Sequence, residues 1–413
     1  MVSLLLNPLC CNKQQGIVRV RAVAEAAKPV KNEAKEKTGI RVVFGAGGTG
    51  GHVYPAIAIA DEMKVIHPNV EIEFVGTSNR LEWKAVPAAG YSIRPIPAVA
   101  LKRPILHPTN ILLPLKFLNC LWECWKLLGQ LRPELVVGTG GYVAAPICLM
   151  AALRGIRIAI QEQNVSPGIA NKLLGVFASV IFVAFPSSVD LFPKRKCVVS
   201  GNPIRPSLRR YVSRSVARSH FFPGSTGNSQ AELLLILGGS LGANAINIAV
   251  LEMYCQMLSQ HPNRYIIWQT GNDNFDEMDS LVKAHPRLLL TSYLNNMDFA
   301  YAAADLVVAR AGAMTCSELL ATGKPSILIP SAYVAEDHQM KNATFMYEVA
   351  GAKLLYEDEL DSTTLANAIN DILGDENLMM DMCEKALKTA LPDAATKIAE
   401  YLLSLVGSGT KRS

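Results

Sequence analysis

The chain has 413 residues, half of them hydrophobic and 18% charged, with 29 Gly and 23 Pro. That balance excludes a mainly disordered chain, a collagen and a coiled-coil rod, and the length suits two or three domains. The formal net charge of +5 raises nucleic acid and anionic lipid as partners, but residues 1–38 hold seven Lys/Arg against three Glu, a net of +4, which leaves about +1 for residues 39–413. No nucleic-acid partner is expected from so small a balance. Mean hydropathy is +0.21, high for a soluble chain, yet no run of about 18 uninterrupted apolar residues offers a membrane span. The nine Cys are odd in number and scattered; they read as buried thiols in a reducing compartment.

Residues 1–38 stand apart from the rest. The first 24 carry Lys13, Arg19 and Arg21 and no acid, and 28–37 are a charged, structureless-looking stretch. This is the pattern of a removable organelle-import peptide with a linker, and Val20-Arg21-Ala22 resembles a plastid cleavage neighbourhood. The expected location is therefore the chloroplast. Short buried-strand runs then alternate with helix-period stretches: 41–44, 71–75, 135–137, 157–160 and 180–183. The pattern restarts at 233–237, 265–269, 288–290, 306–308 and 326–329. Such alternation implies βαβ units and parallel sheets covered by helices on both faces. Two doubly wound domains follow, 39–205 and 231–390. Residues 206–230, rich in Arg and Pro, read as a linker, and 391–413 as a terminal helix and tail able to pack on either domain. Between the second and third of these runs, 105–128 is dense in Leu, with Phe117, Trp122 and Trp125 and interspersed Lys116 and Lys126. Aromatic and basic residues on one helix suit a bilayer interface; an apolar core helix is the competing reading.

Two glycine-rich turns follow the first strand of each series, Gly45-Ala-Gly-Gly-Thr-Gly-Gly51 and Gly238-Gly-Ser-Leu-Gly242. In open parallel sheets ligands sit beyond the carboxyl ends of the strands, where the next helix offers unpaired N–H groups to a phosphate. Gly45-x-Gly47-x-x-Gly50 matches the dinucleotide fingerprint, but that reading needs an acid at the tip of the second strand. Here the strand ends Phe74-Val75-Gly76-Thr77-Ser78, with Glu71 and Glu73 inside it. Neither glycine turn ends in Gly-Lys-Ser/Thr, so a P-loop NTPase is not indicated either. Both turns suit a diphosphate or a polar sugar.

Gly47-Gly-Thr-Gly-Gly-His52-Val-Tyr-Pro-Ala56 resembles the first glycine loop of the MurG family, the UDP-N-acetylglucosamine:lipid I N-acetylglucosaminyltransferases of peptidoglycan synthesis. The likeness continues in order through Gly140-Gly-Tyr142, Glu162-Gln-Asn164, Gly201-Asn-Pro-Ile-Arg205, Gly238-Gly-Ser240, the stretch from Arg310 to Glu318, and that from Asp337 to Ala343. It spans about residues 39–400. The resemblance implies an α/β fold of GT-B architecture, with two Rossmann-like doubly wound parallel-sheet domains facing across a cleft. It implies UDP-GlcNAc as donor and a polyprenyl-diphosphate-linked muramyl peptide as acceptor, whose C4 hydroxyl attacks the anomeric carbon with inversion. It favours peripheral membrane contact through about 105–128.

A hydroxyl nucleophile benefits from a general base, and His52 is the candidate; bonding substrate or loop alone is its other reading. Asn164 matches a cleft residue near both sugars. Charge on the departing UDP needs stabilisation, and the chain has no Asp-x-Asp motif, so no metal and no cofactor are expected. Thr49, Gly50 and Gly51 match the donor-proximal part of the first loop, and Ser240 and Arg205 match diphosphate-side contacts. Ala313, Met314, Thr315, Cys316 and Ser317 would lie along nucleoside and phosphate. Glu318 would hold the ribose hydroxyls, the Leu294 backbone would meet uracil, and Gln339 would meet the sugar. Two positions depart from the family: Gln161 stands where a His is usual, and Leu241 where a Gln would reach the donor sugar. Two other readings therefore stay open: a different lipid acceptor such as diacylglycerol, and a catalytically decayed UDP-sugar-binding scaffold.

Overall fold

The computed structural model describes residues 39–100, 110–225, 228–331 and 337–407. The expected import segment, 1–38, lies outside them, as does the start of the expected membrane segment. Residues 39–413 form one compact unit.

The first half of this unit runs β1 (Arg41–Gly45), α1 (Gly50–Ile66), β2 (Glu71–Gly76), α2 (Leu81–Ala88), β3 (Ser92–Pro95), α3 (Leu113–Leu131) and β4 (Leu135–Gly138). It continues through α4 (Gly141–Leu153), β5 (Arg157–Glu162), α5 (Ile169–Leu174), β6 (Val180–Val183), β7 (Cys197–Val199) and α6 (Arg214–Phe221). The second half runs β8 (Glu232–Leu237), α7 (Asn244–Gln260), β9 (Arg264–Gln269), α8 (Phe275–Leu281), β10 (Leu288–Thr291), α9 (Met297–Ala303) and β11 (Leu306–Ala309). It ends with α10 (Ala313–Thr322), β12 (Ser326–Leu328), α11 (His338–Ala350), β13 (Lys353–Leu354), α12 (Ser362–Leu373), α13 (Glu376–Thr389) and α14 (Ala394–Gly407).

The strands form two sheets, ordered β3-β2-β1-β4-β5-β6-β7 and β10-β9-β8-β11-β12-β13. Every pairing in both sheets is parallel. Strands buried on both faces must be apolar throughout, and β4 (Leu-Val-Val-Gly) and the last five residues of β8 are buried end to end. The strand order reverses between β1 and β4 in one sheet and between β8 and β11 in the other. A crevice opens at such a point beyond the carboxyl ends. Both glycine loops sit there, and each is backed by a glycine from a neighbouring turn. A Cβ on Gly141 (φ +78) would lie 2.4 Å from the Gly47 carbonyl oxygen, and one on Gly271 (φ +85) would lie 2.2 Å from the Gly242 backbone. Any side chain at either position would push its glycine loop away from the sheet.

The stretch 206–230 is more than a linker. Its helix α6, capped by the Ser213 hydroxyl accepting from the Val216 N–H at 3.3 Å, packs on α9, and Ala217 and Phe222 join the core of the second half. Three of its arginines, Arg209, Arg214 and Arg218, form ion pairs within the fold. Arg218 is buried, donates to the Ala303 carbonyl at 3.1 Å and pairs with Asp305. Arg209 pairs with Glu62 on α1 and donates to Thr396 on α14.

The terminal helix chooses the first half. Ile398, Ala399, Leu402 and Val406 of α14 pack into the core around β1 and β2, Tyr401 meets Phe182 edge-on at 5.5 Å, and Arg157 donates to the Leu405 carbonyl. The chain thus crosses between the halves twice, after β7 and before α14. Among the described residues no helix is long and apolar enough to cross a membrane.

Candidate active site

The first glycine loop ends on Thr49, the N-cap of α1, in extended conformation. Its hydroxyl lies 3.2 Å from His52 Nδ1. The His52 carbonyl accepts from the Thr139 hydroxyl at 2.8 Å, tying α1 to the turn after β4. The ring lies against the next residue of that turn: a Cβ on Gly140 would come within 2.8 Å of His52 Cδ2. Desolvation outweighs a bond to the Gly47 backbone, and the nearby His338 adds to it, so the His52 pKa falls to about 4. The imidazole is therefore neutral at cellular pH. The loop itself is pinned by the buried Glu82 of α2. Its carboxylate accepts from the Gly48 N–H at 3.2 Å, the Thr77 N–H at 3.0 Å and the Thr77 hydroxyl at 2.6 Å.

At the end of β5 a second buried carboxylate shapes the chain. Glu162 accepts from the Asn164 N–H (2.9 Å), the Asn164 side-chain amide (3.2 Å), the Gly168 N–H (3.1 Å) and the Asn171 amide (2.9 Å). Burial raises its pKa against the opposing pull of these bonds. Asn164 is thereby held with its carbonyl oxygen toward the other half, where it accepts from the Asn342 amide of α11 at 3.3 Å. Asn342 also accepts from the Val165 N–H at 3.1 Å and donates to the Ala311 carbonyl at 3.1 Å.

Asn202 joins the halves a second time. Its carbonyl oxygen accepts from Gln161 at 3.0 Å, and its amide donates to the Gln163 carbonyl at 3.0 Å and to the Ser317 hydroxyl at 2.9 Å. Three residues on, the Arg205 guanidinium donates to one oxygen of Glu318 at 2.9 Å. The Tyr301 hydroxyl donates to the other at 3.0 Å. Burial works against the Arg205 charge, but the Glu318 carboxylate together with Tyr293 and Tyr301 outweighs it, and the pKa is raised. The guanidinium also lies 5.7 Å from the ring of Tyr54, two residues after His52. The start of α1, the end of β5, the 201–205 crossing and the N-terminal turns of α10 and α11 thus meet in one place.

Family models for the glycosyltransferase family 28 N-terminal and C-terminal domains match residues 42–183 and 233–398. A Salinibacter ruber protein is 44% identical over 88% of this chain and 96% of its own length. One from Bacteroides fragilis is 37% identical over 91% and 98%. Both carry the name UDP-N-acetylglucosamine--N-acetylmuramyl-(pentapeptide) pyrophosphoryl-undecaprenol N-acetylglucosamine transferase. The chain belongs to the MurG family. The crystal structure of Acinetobacter baumannii MurG superposes with a TM-score of 0.68 at 27% identity, covering 88% of this chain and 99% of that one. A Staphylococcus aureus MnaA–UDP co-structure shares the fold at 13% identity, with a TM-score of 0.64 over 91% of this chain and 99% of its own. Two parallel-sheet halves of GT-B type are thus the architecture of this MurG-family member.

The residues expected from that family divide in the structure. His52, Thr49, Asn164, Arg205, Ser317 and Glu318 belong to the connected set just described, and Gly50 and Gly51 open α1 beside it. Ala313 opens α10, with Met314 and Thr315 half-exposed on its first turn. Ser240 is exposed in the second glycine loop, where its carbonyl accepts from the Asn272 N–H at 3.1 Å. The Gln339 carbonyl accepts from the Ser331 N–H at 2.9 Å, which directs its amide nitrogen outward from that bond. Leu294 is buried, with its side chain in the core of the second half. The Cys316 thiol is fully buried in the core and pushed up to about 12, so it is the backbone of this residue that can line the site. Gln161 is likewise buried, bonded to Asn202 and Gln163. It replaces the usual His inside a buried polar network behind the cleft. Leu241 is 66% exposed, so that departure does face outward. Glu82, Glu162, Asn202, Asn342 and Tyr301 were not expected as functional; the sequence shows several inside motifs but not their partners.

With a folded pKa near 4 against 6.5 unfolded, His52 binds its proton first in the unfolded chain. Its contribution makes stability fall as pH drops from about 6.5 towards 4. The acid limb of kcat/KM should have its midpoint near pH 4, and a midpoint at 6.5 would show that a different group, or a solvated His52, controls the rate.

Proposed function

We propose that the protein transfers N-acetylglucosamine from UDP-GlcNAc to the C4 hydroxyl of the muramyl sugar of a polyprenyl-diphosphate lipid, with inversion. The observation that carries this is a neutral, half-buried histidine at the start of α1 that hydrogen bonds through Thr139, Gln163 and Asn202 connect to Ser317 on α10, beside the Arg205–Glu318 pair. With Nδ1 turned to Thr49, Nε2 would be the nitrogen that takes the nucleophile's proton as the new bond forms. Charge growing on UDP would be met by the N-terminal turn of α10 and by Arg205, whose position Glu318 fixes. Glu318 would accept the ribose hydroxyls. Asn164 and Gln339 offer amides to the sugars. The names of the relatives favour a muramyl lipid over diacylglycerol. The buried place of Gln161 removes one of the two reasons for reading a decayed scaffold. The other, exposed Leu241, puts no amide at the donor sugar and bears on discrimination among UDP-sugars.

The acceptor's lipid requires access from a membrane, and the exposed face of α3 supports peripheral contact there. Leu115, Leu118 and Trp122 are exposed on α3, and Ile169 and Leu173 on α5, with α4 between the two helices. Lys116 and Lys172 are exposed among them. Apolar area fringed by cations suits a bilayer interface. Trp125 does not share this role: the Arg154 guanidinium stacks 3.9 Å from its ring and donates to its carbonyl at 2.7 Å. The opposite face, with Cys120, Cys124 and Leu128, packs in the core. A plastid membrane is the proposed site, supported by the basic balance of residues 1–38; a reporter fused to 1–60 that stayed cytosolic would refute it.

Incubation with UDP-GlcNAc and lipid I should yield a β-linked disaccharide lipid, and His52→Ala should lower kcat by roughly 100-fold or more. UDP release without a lipid product, or near-normal turnover of the variant, would contradict the reading. Liposome flotation should be lost in Leu115→Glu plus Trp122→Glu and retained in Trp125→Phe; flotation unchanged in the double variant would move the contact elsewhere.

A further inference from the structure

Tyr301 lies on α9, 1% exposed, among the core side chains of the second half. Most of a buried tyrosine's value is apolar area, and its hydroxyl needs only some partner. Here that partner is the carboxylate of Glu318, itself 3% exposed. A carboxylate has about four acceptor sites, two per oxygen. Arg205 takes one on the first oxygen and Tyr301 one on the second. One site then remains on each oxygen, and a vicinal diol presents two hydroxyls. Two donors from different elements, one on the crossing segment and one on α9, fix the plane of the carboxylate. A single donor would leave it free to turn about its last torsion.

We propose that Tyr301 is a positioning residue for nucleotide recognition: its hydroxyl holds Glu318 so that each oxygen keeps one lone pair for one hydroxyl of the ribose. This rests on the UDP-sugar reading above. The bond costs the site nothing to form when nucleotide arrives, because Glu318 is already oriented before binding. Tyr301 stays protonated and donating, since burial first and the Glu318 charge next raise its pKa well above the ordinary value. Arg205 alone could still neutralise Glu318 without it, but would not set the second oxygen. The role therefore predicts a defect in reading the ribose, separable from any general loss of stability.

Calorimetry on the full chain with UDP and with 2′-deoxyuridine diphosphate tests it. The wild type should prefer UDP by roughly tenfold or more, the value of a hydrogen bond to a charged group. In Tyr301→Phe, which keeps the ring and the packing, UDP should bind several-fold more weakly and the preference should shrink towards one. The ratio is read on the molecules that bind, so a smaller folded fraction leaves it unchanged. An undiminished ratio in Tyr301→Phe would overturn the positioning role while leaving Glu318 as the ribose site. A wild type that binds UDP and its deoxy analogue equally would overturn the ribose reading of Glu318, and the proposal with it.

Discussion

Two buried asparagines tie the two Rossmann-like halves together beside the cleft. Asn202 reaches from the crossing segment to the end of β5 on one side and to the first turn of α10 on the other. Asn342 reaches from α11 back to Asn164 and Val165. Both are nearly solvent-free, where an unpartnered amide is costly and a satisfied one is specific in direction. Apolar packing would hold the halves together at many relative angles. Amides with fixed donors and acceptors permit few. These bonds therefore help fix the position of His52 relative to Glu318.

The same crossing segment carries Arg205, so the alignment of the halves and the charge balance of the cleft are set by one short stretch of chain. In the proposed reading the start of α1 supplies a neutral base, while the α10 terminus and Arg205, anchored on Glu318, supply positive potential. Base and positive potential on opposing elements suit a reaction in which a proton leaves the nucleophile as negative charge builds on a diphosphate. Exclusion of water lowers the pKa of His52 and strengthens the Arg205–Glu318 pair, so one physical change serves both sides.

Much of the fold was legible because parallel strands buried on both faces leave continuous apolar runs. All ten runs read in this way are strands. The three that escaped, β3, β7 and β13, are sheet-edge or near-edge strands of two to four residues with exposed or half-exposed positions. They carry no run for the eye to catch. Helix α6 was hidden by its arginines, which pair with partners such as Asp305, 87 residues away from Arg218. The site was legible as motifs but not as a network: Asn202 and Ser317 are 115 positions apart, and spacing along the chain cannot reveal such a bond. Cys316 shows the opposite limit. A motif assigned as a continuous stretch lies on a helix, and helical periodicity turns Ala313, Cys316 and Leu320 inward while Met314 and Thr315 stay accessible.

The central claim is that base and leaving group meet across the cleft formed by the two sheets. A crystal structure of the protein with UDP-GlcNAc tests it most directly. The account predicts the diphosphate against the first turn of α10, both ribose hydroxyls on Glu318, and the anomeric carbon turned towards His52 with room for an acceptor hydroxyl between them. A donor bound with its ribose away from Glu318, or with its anomeric carbon facing away from His52, would contradict it.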